Sequence, residues 1–343
     1  MEYKLRVLFV EYSTDTLYSG PSYLKKNLSD QILISNQEIC ITFDRNKSDV
    51  NVLDTKNSLV RYELQKALCF YIATRGTLPD VSSVEFYDGK VWITIQHEHF
   101  SDTWKNCHLL LLFSPETMKI IFSNHPHAKD IYIALTYFIK AQLDAFPNDC
   151  YRAAWTGMNA VYGIFNQSQK ESEQLKVFAN IIRNYSMDSL SSEIKSMGVD
   201  ALLNSLNWYQ FMHTERGNKT KRYLDFNYIK DTRLLTCLIN HYHAFRFDIT
   251  EQEHNLRNVL QKEREDISSI LVFLICDYCY ALRCRYFHAK KSYPVFIISK
   301  QSEMDVEEGL TKYLLLGIID IITEYSEKER SIMEATFGTS VNS

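Results

Sequence analysis

The chain has 343 residues, room for two domains or one domain with a large extension, and its 45% hydrophobic and 23% charged residues are those of a folded globular protein, which argues against disorder. A formal net charge of -4 excludes a surface coated in basic residues, so any nucleic-acid contact must come from a local patch. Eight scattered cysteines without a secretory pattern over residues 1–12 point to reduced thiols and a cytoplasmic location, and no apolar run reaches the ~20 residues that would imply a membrane partner.

In chain order, short β-prone runs come first. Residues 5–10, 31–34 and 38–43 read as strands, with Ser19-Gly20-Pro21-Ser22 marking a break between the first two. Apolar spacing over 58–74 predicts a helix with Asn57 or Ser58 as its cap. Asp88-Gly89 between the runs 84–87 and 91–95 predicts a tight hairpin, because such turns want positive φ at both central positions. A second hairpin is expected from 108–113 and 118–122 around Ser114-Pro115-Glu116. His97 and His99 share a strand face and His125 and His127 flank Pro126, but neither pair has a third ligand at metal-binding spacing.

From about residue 127 onward the periodicity is helical. Helices are expected over 131–146, 149–165, 171–185 and 231–245, with shorter segments over 187–211 and a charged segment over 251–265. Ala153, Ala154, Gly157 and Ala160 allow a neighbouring helix to approach closely, and Trp155 and Tyr162 read as packing residues. The run 214–222 holds four basic residues and reads first as a solvated loop, second as an RNA-backbone contact. His241 and His243 are two apart on a helix, hence on different faces.

The long apolar helix from Ile267 comes next, and chemistry is expected at its end. Asp277 is its only charge before Arg283, Arg285, His288, Lys290 and Lys291 arrive within nine positions. Counted at helical spacing, the stripe Ile267, Leu271, Leu274, Tyr278, Ala281 runs into Arg285 and His288, where packing would want Leu. Unpaired buried charge costs several kcal/mol by rough estimate, so these groups are expected to face a cleft, a phosphate or a partner. Cys276 and Cys279, with Cys284, read as buried structural thiols because no second pair accompanies them. A last helix is expected over 305–329 and a flexible tail over 337–343.

Arg283-x4-His288 near the end of an apolar helix, followed by a lysine pair and a final amphipathic helix, resembles the Rx4H motif of HEPN domains. Upstream, residues 151–162, with Tyr151 before a small-residue helix, resemble the opening helix of the Apea-like HEPN group. The resemblance covers roughly residues 127–336. It departs at Cys284, where many active members carry Asn, Asp or His, and at Asn159, near which many carry Glu.

The expected architecture is therefore α+β: a strand-rich unit over 1–125 for sensing, recognition or dimerisation, then an all-α HEPN-like bundle over 126–336. The resemblance implies a metal-independent endoribonuclease without cofactor, with Arg283 and His288 catalytic, Arg285, Lys290 and Lys291 on the RNA backbone, and Cys284 as motif neighbour. It further implies a homodimer with a composite cleft, RNA such as tRNA as substrate, a protein or nucleotide activator, and a role in antiphage defence or as a toxin. The alternatives are an inactive HEPN module for dimerisation or nucleotide binding, in which Arg283 pairs with an acid such as Asp277 or Glu265, and a scaffold that assembles with a partner.

Overall fold

The computed structural model describes residues 2–10, 15–25, 28–44, 53, 58–77, 80–95, 108–166, 168, 170–217, 229–287 and 301–338. Two compact units contain them, one formed by 1–143 with 325–343 and the other by 144–324.

In the first unit, β1 (Tyr3–Phe9), β2 (Thr16–Lys25), β3 (Leu28–Ser35), β4 (Glu38–Phe43), β5 (Val81–Tyr87) and β6 (Trp92–Ile95) form one antiparallel sheet in the order β2-β3-β4-β1-β5-β6. Alternation decides its faces: Leu5, Val7, Ile32, Ile34, Ile39, Ile41, Val84 and Phe86 are buried on one side. On the other, Arg6 donates to Glu85 of the paired strand and lies 4.3 Å over the Trp92 ring. The expected break at Ser19–Ser22 is instead the middle of β2, with Pro21 opposite Gln31. A proline without an N–H is tolerated there because β2 lies at the sheet edge.

The hairpin at Asp88-Gly89 forms, with Tyr87 paired to Trp92. Its turn differs from the expected one. Only Gly89 has positive φ, at 95°, while the Asp88 carboxylate accepts from Lys90 N and Val91 N. The second expected hairpin does not form: Pro115–Met118 is a short helix, α2, continued by a 3-10 turn over Lys119–Phe122. Ser114 accepts from Thr117 N at 3.1 Å with Pro115 at the first helical position, so capping outweighs β-propensity. The preceding residues run instead along the end of α1 (Leu59–Arg75), where Leu109 N donates to Gly76 O and Phe113 N to Ala73 O.

Helix α1 is capped by Ser58 and closed by Gly76 at φ 83°. It packs on the sheet through the Phe9–Tyr71 ring pair and on α3 (Ala128–Leu143) through Tyr62–Tyr132, which places α3 in this unit although composition puts the boundary near residue 125. Glu63 and Lys66 face inward and pair at 2.8 Å with side chains 0% and 2% exposed. Burial pulls the Lys66 ammonium below its usual range, and Glu63 and Asp30 pull it back up. Asp30 is paired across the strands with Ser22, and both are buried. His125 and His127 are not simply solvated: His125 lies 3.2 Å from Glu329 and His127 3.2 Å from Asp130.

The second unit is helical throughout its described residues: α4 (Pro147–Phe165), α5 (Glu171–Asn184), α6 (Asp188–Met197), α7 (Val199–Ser205), α8 (Trp208–Met212), α9 (Thr232–Ala244), α10 (Thr250–Leu260), α11 (Ile267–Val272), a π-helical segment Phe273–Cys279, α12 (Tyr280–Phe287) and the first part of α13 (Gln301–Gly338). Helix α6 has no cap of its own, since Met187 stands at its start with φ 49°. Asp320 of α13 accepts from Ser189 N and Leu190 N in its place. The run Ile267–Cys284 has the length and hydropathy of a membrane span, and 72% of it is buried inside the protein. Together the units make the α+β architecture expected of the chain.

The buried pair in α1 sets the first prediction. Replacing Lys66 by Met strands the Glu63 carboxylate and is expected to cost about 3–5 kcal/mol in urea unfolding followed by circular dichroism, whereas Glu63→Gln with Lys66→Met recovers most of that loss.

Candidate functional site

The helix that carries the motif is not α-helical throughout. The π-helical segment Phe273–Cys279 interrupts it, with every one of its residues buried. A single 3.6-residue count therefore does not carry the upstream stripe across the segment to Arg285, and the run is buried all round rather than on one face. Side chains fix the segment in place: Tyr151 Oη donates to Cys279 O at 2.6 Å, and Asn207 N donates to Tyr278 Oη at 2.8 Å.

Asp277 sits inside this segment, 1% exposed, and Arg216 Nε donates to its Oδ1 at 2.6 Å. Burial pushes the Asp277 carboxyl above its usual range, and Arg216 and Arg183 draw it down again. Arg216 is the residue of the expected basic loop that the described chain reaches; residues 215–217 are helical rather than a loop, and Arg216 is an ion-pair partner rather than a solvated charge. The Arg216 guanidinium also lies 5.7 Å from the centre of the Tyr280 ring. Cys276 and Cys279 are the buried thiols expected from their setting, both pushed far up by burial, and no group of three His, Cys, Asp or Glu side chains suited to a metal occurs among the described residues.

Arg283 follows on α12, its side chain 18% exposed, with Nη1 3.3 Å from Oε2 of Glu171 in the first turn of α5. Tyr162 Oη donates to the other oxygen of that carboxylate at 2.8 Å. Burial, and then the bond to Glu171, hold the Tyr162 phenol far above its usual range, so it remains a donor. The partner of Arg283 is thus neither Asp277 nor Glu265; the latter pairs with Arg233. Next to Arg283, Tyr280 lies 6.1 Å from the Trp155 ring, and its phenol is raised by burial and by a hydrogen bond with the Cys284 thiol. Asn159 is exposed on α4, so the carboxylate at Arg283 is supplied by α5 instead.

No protein-family model, curated protein or solved structure matches the chain.

The structure therefore brings Arg283 together with Glu171 and Tyr162, with Tyr280 and Cys284 on the same helix, and places Arg216 beside the Tyr280 ring. His288, Lys290, Lys291 and the Arg285 side chain lie outside the described residues, as do His97, His99, Lys219, Lys221 and Arg222. Glu171 and Arg216 carry no signal of their own in the sequence, one being an ordinary first-turn acid and the other part of a charge run. Chemically the cluster is a guanidinium oriented by a carboxylate, which suits an anionic oxygen.

Arg216→Met is expected to destabilise the fold by about 3–5 kcal/mol at pH 7, because Asp277 is left buried and unpaired. A carboxyl with a raised folded pKa binds its proton more tightly when folded, so stability falls as pH rises above the unfolded value of about 3.9. The loss should accordingly shrink as urea unfolding is repeated from pH 7 down toward pH 4.5, and Asp277→Asn added to Arg216→Met should remove the pH dependence.

Proposed function

We propose that the chain is a metal-independent endoribonuclease of the HEPN type. The observation that supports this most directly is Arg283 at the start of the Rx4H sequence, with its guanidinium held by Glu171, itself fixed by Tyr162. His288 takes the 2′-hydroxyl proton, the 2′-oxygen attacks the adjacent phosphorus, and the 5′-oxygen leaves and takes up a proton. Arg283 stabilises the charge on the phosphorane oxygens, with Arg285, Lys290 and Lys291 on the flanking backbone. The products are a 2′,3′-cyclic phosphate and a 5′-hydroxyl, and DNA is spared because it lacks the attacking group. In this reading a homodimer brings two such motifs to one cleft, RNA such as tRNA is the substrate, an activator gates the cut, and the cut serves antiphage defence or growth arrest.

The ion pair at Arg283 also favours a second reading, in which Glu171 occupies the guanidinium permanently and the helical unit is a non-catalytic HEPN module for dimerisation, nucleotide binding or partner assembly. One experiment separates the two. Total RNA and tRNA are incubated in EDTA with the protein and with a His288→Ala form matched for folding and oligomeric state. Cleavage by the unaltered chain alone, leaving cyclic phosphate ends, is the expected result, and Arg283→Ala should lower the rate at least 100-fold, as loss of a single charge-stabilising donor does. No cleavage by any folded preparation, with or without cell extract to supply an activator, would sink the enzyme reading.

Cys284→Asn keeps a polar partner for the Tyr280 phenol and is expected to leave the cleavage rate intact or raise it. A large loss in the same assay would give the thiol a role of its own.

A further inference from the structure

The contact between Arg283 and Glu171 is single and long. Nη1 lies 3.3 Å from Oε2, against about 2.7–2.9 Å for a strong charge-assisted bond, and the two side chains are 18% and 25% exposed. The acid is held more firmly than the arginine is. Tyr162, buried, donates to its other oxygen at 2.8 Å, and the phenol, raised by burial and then by Glu171, keeps its proton. A carboxylate and a phosphate offer a guanidinium the same kind of charged oxygen. In the conformation described, the carboxylate therefore stands where a phosphoryl oxygen would have to bind.

The two partners differ in what fixes them. Arg283 follows the buried π-helical segment, which Tyr151 and Asn207 pin through Cys279 O and Tyr278 Oη. Glu171 is the first residue of α5, where Lys170 occupies the cap position without a side-chain bond. That turn is stitched by exposed contacts: Ser168 Oγ donates to Glu173 at 2.8 Å, and Lys170 Nζ lies 3.5 Å from the same carboxylate. Among the described side chains of α5, Leu175 is the first that is buried. A helix end held only by exposed contacts opens at small cost, so when the pair separates it is Glu171 that moves.

We propose that Glu171 is an autoinhibitory carboxylate, which occupies Arg283 at rest and is drawn away when the first turn of α5 unwinds, so that an RNA phosphate takes its place. The inference rests on Arg283 being the phosphate-binding cation of the ribonuclease reading above. It gives the activator of that reading a target, the start of α5. Glu171 blocks in two ways, by filling the position and by repelling a second anion.

The test uses the full chain. Binding of a labelled uridine-rich single strand of about 12 nucleotides is measured on the His288→Ala background, and cleavage of tRNA in EDTA with His288 intact. Glu171→Gln keeps the size of the side chain and an acceptor for Tyr162 while removing the charge. It is expected to tighten binding about five-fold, the most that an exposed ion pair competes for, and to speed cleavage without an activator. The log–log salt dependence should steepen by about 0.7, the share of one phosphate contact on a single strand. Adding Arg283→Ala should erase these gains, which a general change of surface charge would not do. Tyr162→Phe, which keeps the ring in the core and releases only the acid, should move binding in the same direction by less. Unchanged or weaker binding by Glu171→Gln, or a gain that survives Arg283→Ala, overturns the proposal. If Glu171→Gln binds more tightly and no form ever cleaves, the autoinhibitory contact stands and the ribonuclease falls. If the parent cleaves and Glu171→Gln cleaves more slowly, the ribonuclease stands and the autoinhibitory contact falls.

Discussion

The helical unit depends on a deeply buried charge that packing alone would not admit. Asp277 lies within seven consecutive buried residues, where an unpaired carboxylate would cost several kcal/mol by rough estimate, and Arg216 resolves this by reaching in from the helical residues 215–217 after α8. That pairing ties the helical residues 215–217 to the buried π-helical segment. It also fixes what stands on either side of it. Tyr280, the first residue after the segment, lies beside the Arg216 guanidinium, and three residues on Arg283 meets Glu171 and through it Tyr162.

The sheet unit solves the same problem differently. Its apolar face is supplied by strict alternation, and α1 covers it, but α1 also carries Glu63 and Lys66 into the covered layer. The two neutralise one another within one turn of one helix, beside the Phe122 and Tyr62 rings at about 5.5 Å from the ammonium. Buried ion pairs of this sort contribute little net stability compared with apolar residues of equal size, yet they penalise any arrangement that separates them. The edge strand β2 is guarded too, since Pro21 leaves a gap in the row of donors that another strand would need.

Much of this was legible from residue types. β-Prone runs placed β1, β3 and β4, Ser58 was one of two candidates for the cap of α1, and Asp88-Gly89 marked the one that forms of the two expected hairpins. Where reading failed, a local rule was outranked. Pro21 looked like a break because the sequence cannot say that its strand lies at an edge, and Ser114-Pro115 started a helix because a cap and a fixed φ outweigh β-branched neighbours. The turn at Gly89 was located correctly but closed by the Asp88 side chain rather than by a second positive φ. In the candidate site, Arg283 and Cys284 stood out as charge and thiol at the end of an apolar run. Glu171 and Arg216 did not, because the contacts that single them out are 112 and 61 positions away along the chain.

The π-helical segment sets the direction in which the motif region faces. Relative to an α-helix, each i→i+5 ring encloses one residue more, so the segment shifts the winding of whatever follows it without breaking the helix. Removing one residue from it would restore regular winding and turn everything beyond Cys279 by about 100° around the axis. Arg283 would then leave Glu171, while Tyr280 and Cys284, both beyond the segment, would turn together. The orientation of the guanidinium is thus a matter of helical phase, and the phase is held by Tyr151, Tyr278 and Asp277, none of which touches Arg283 in the contacts described.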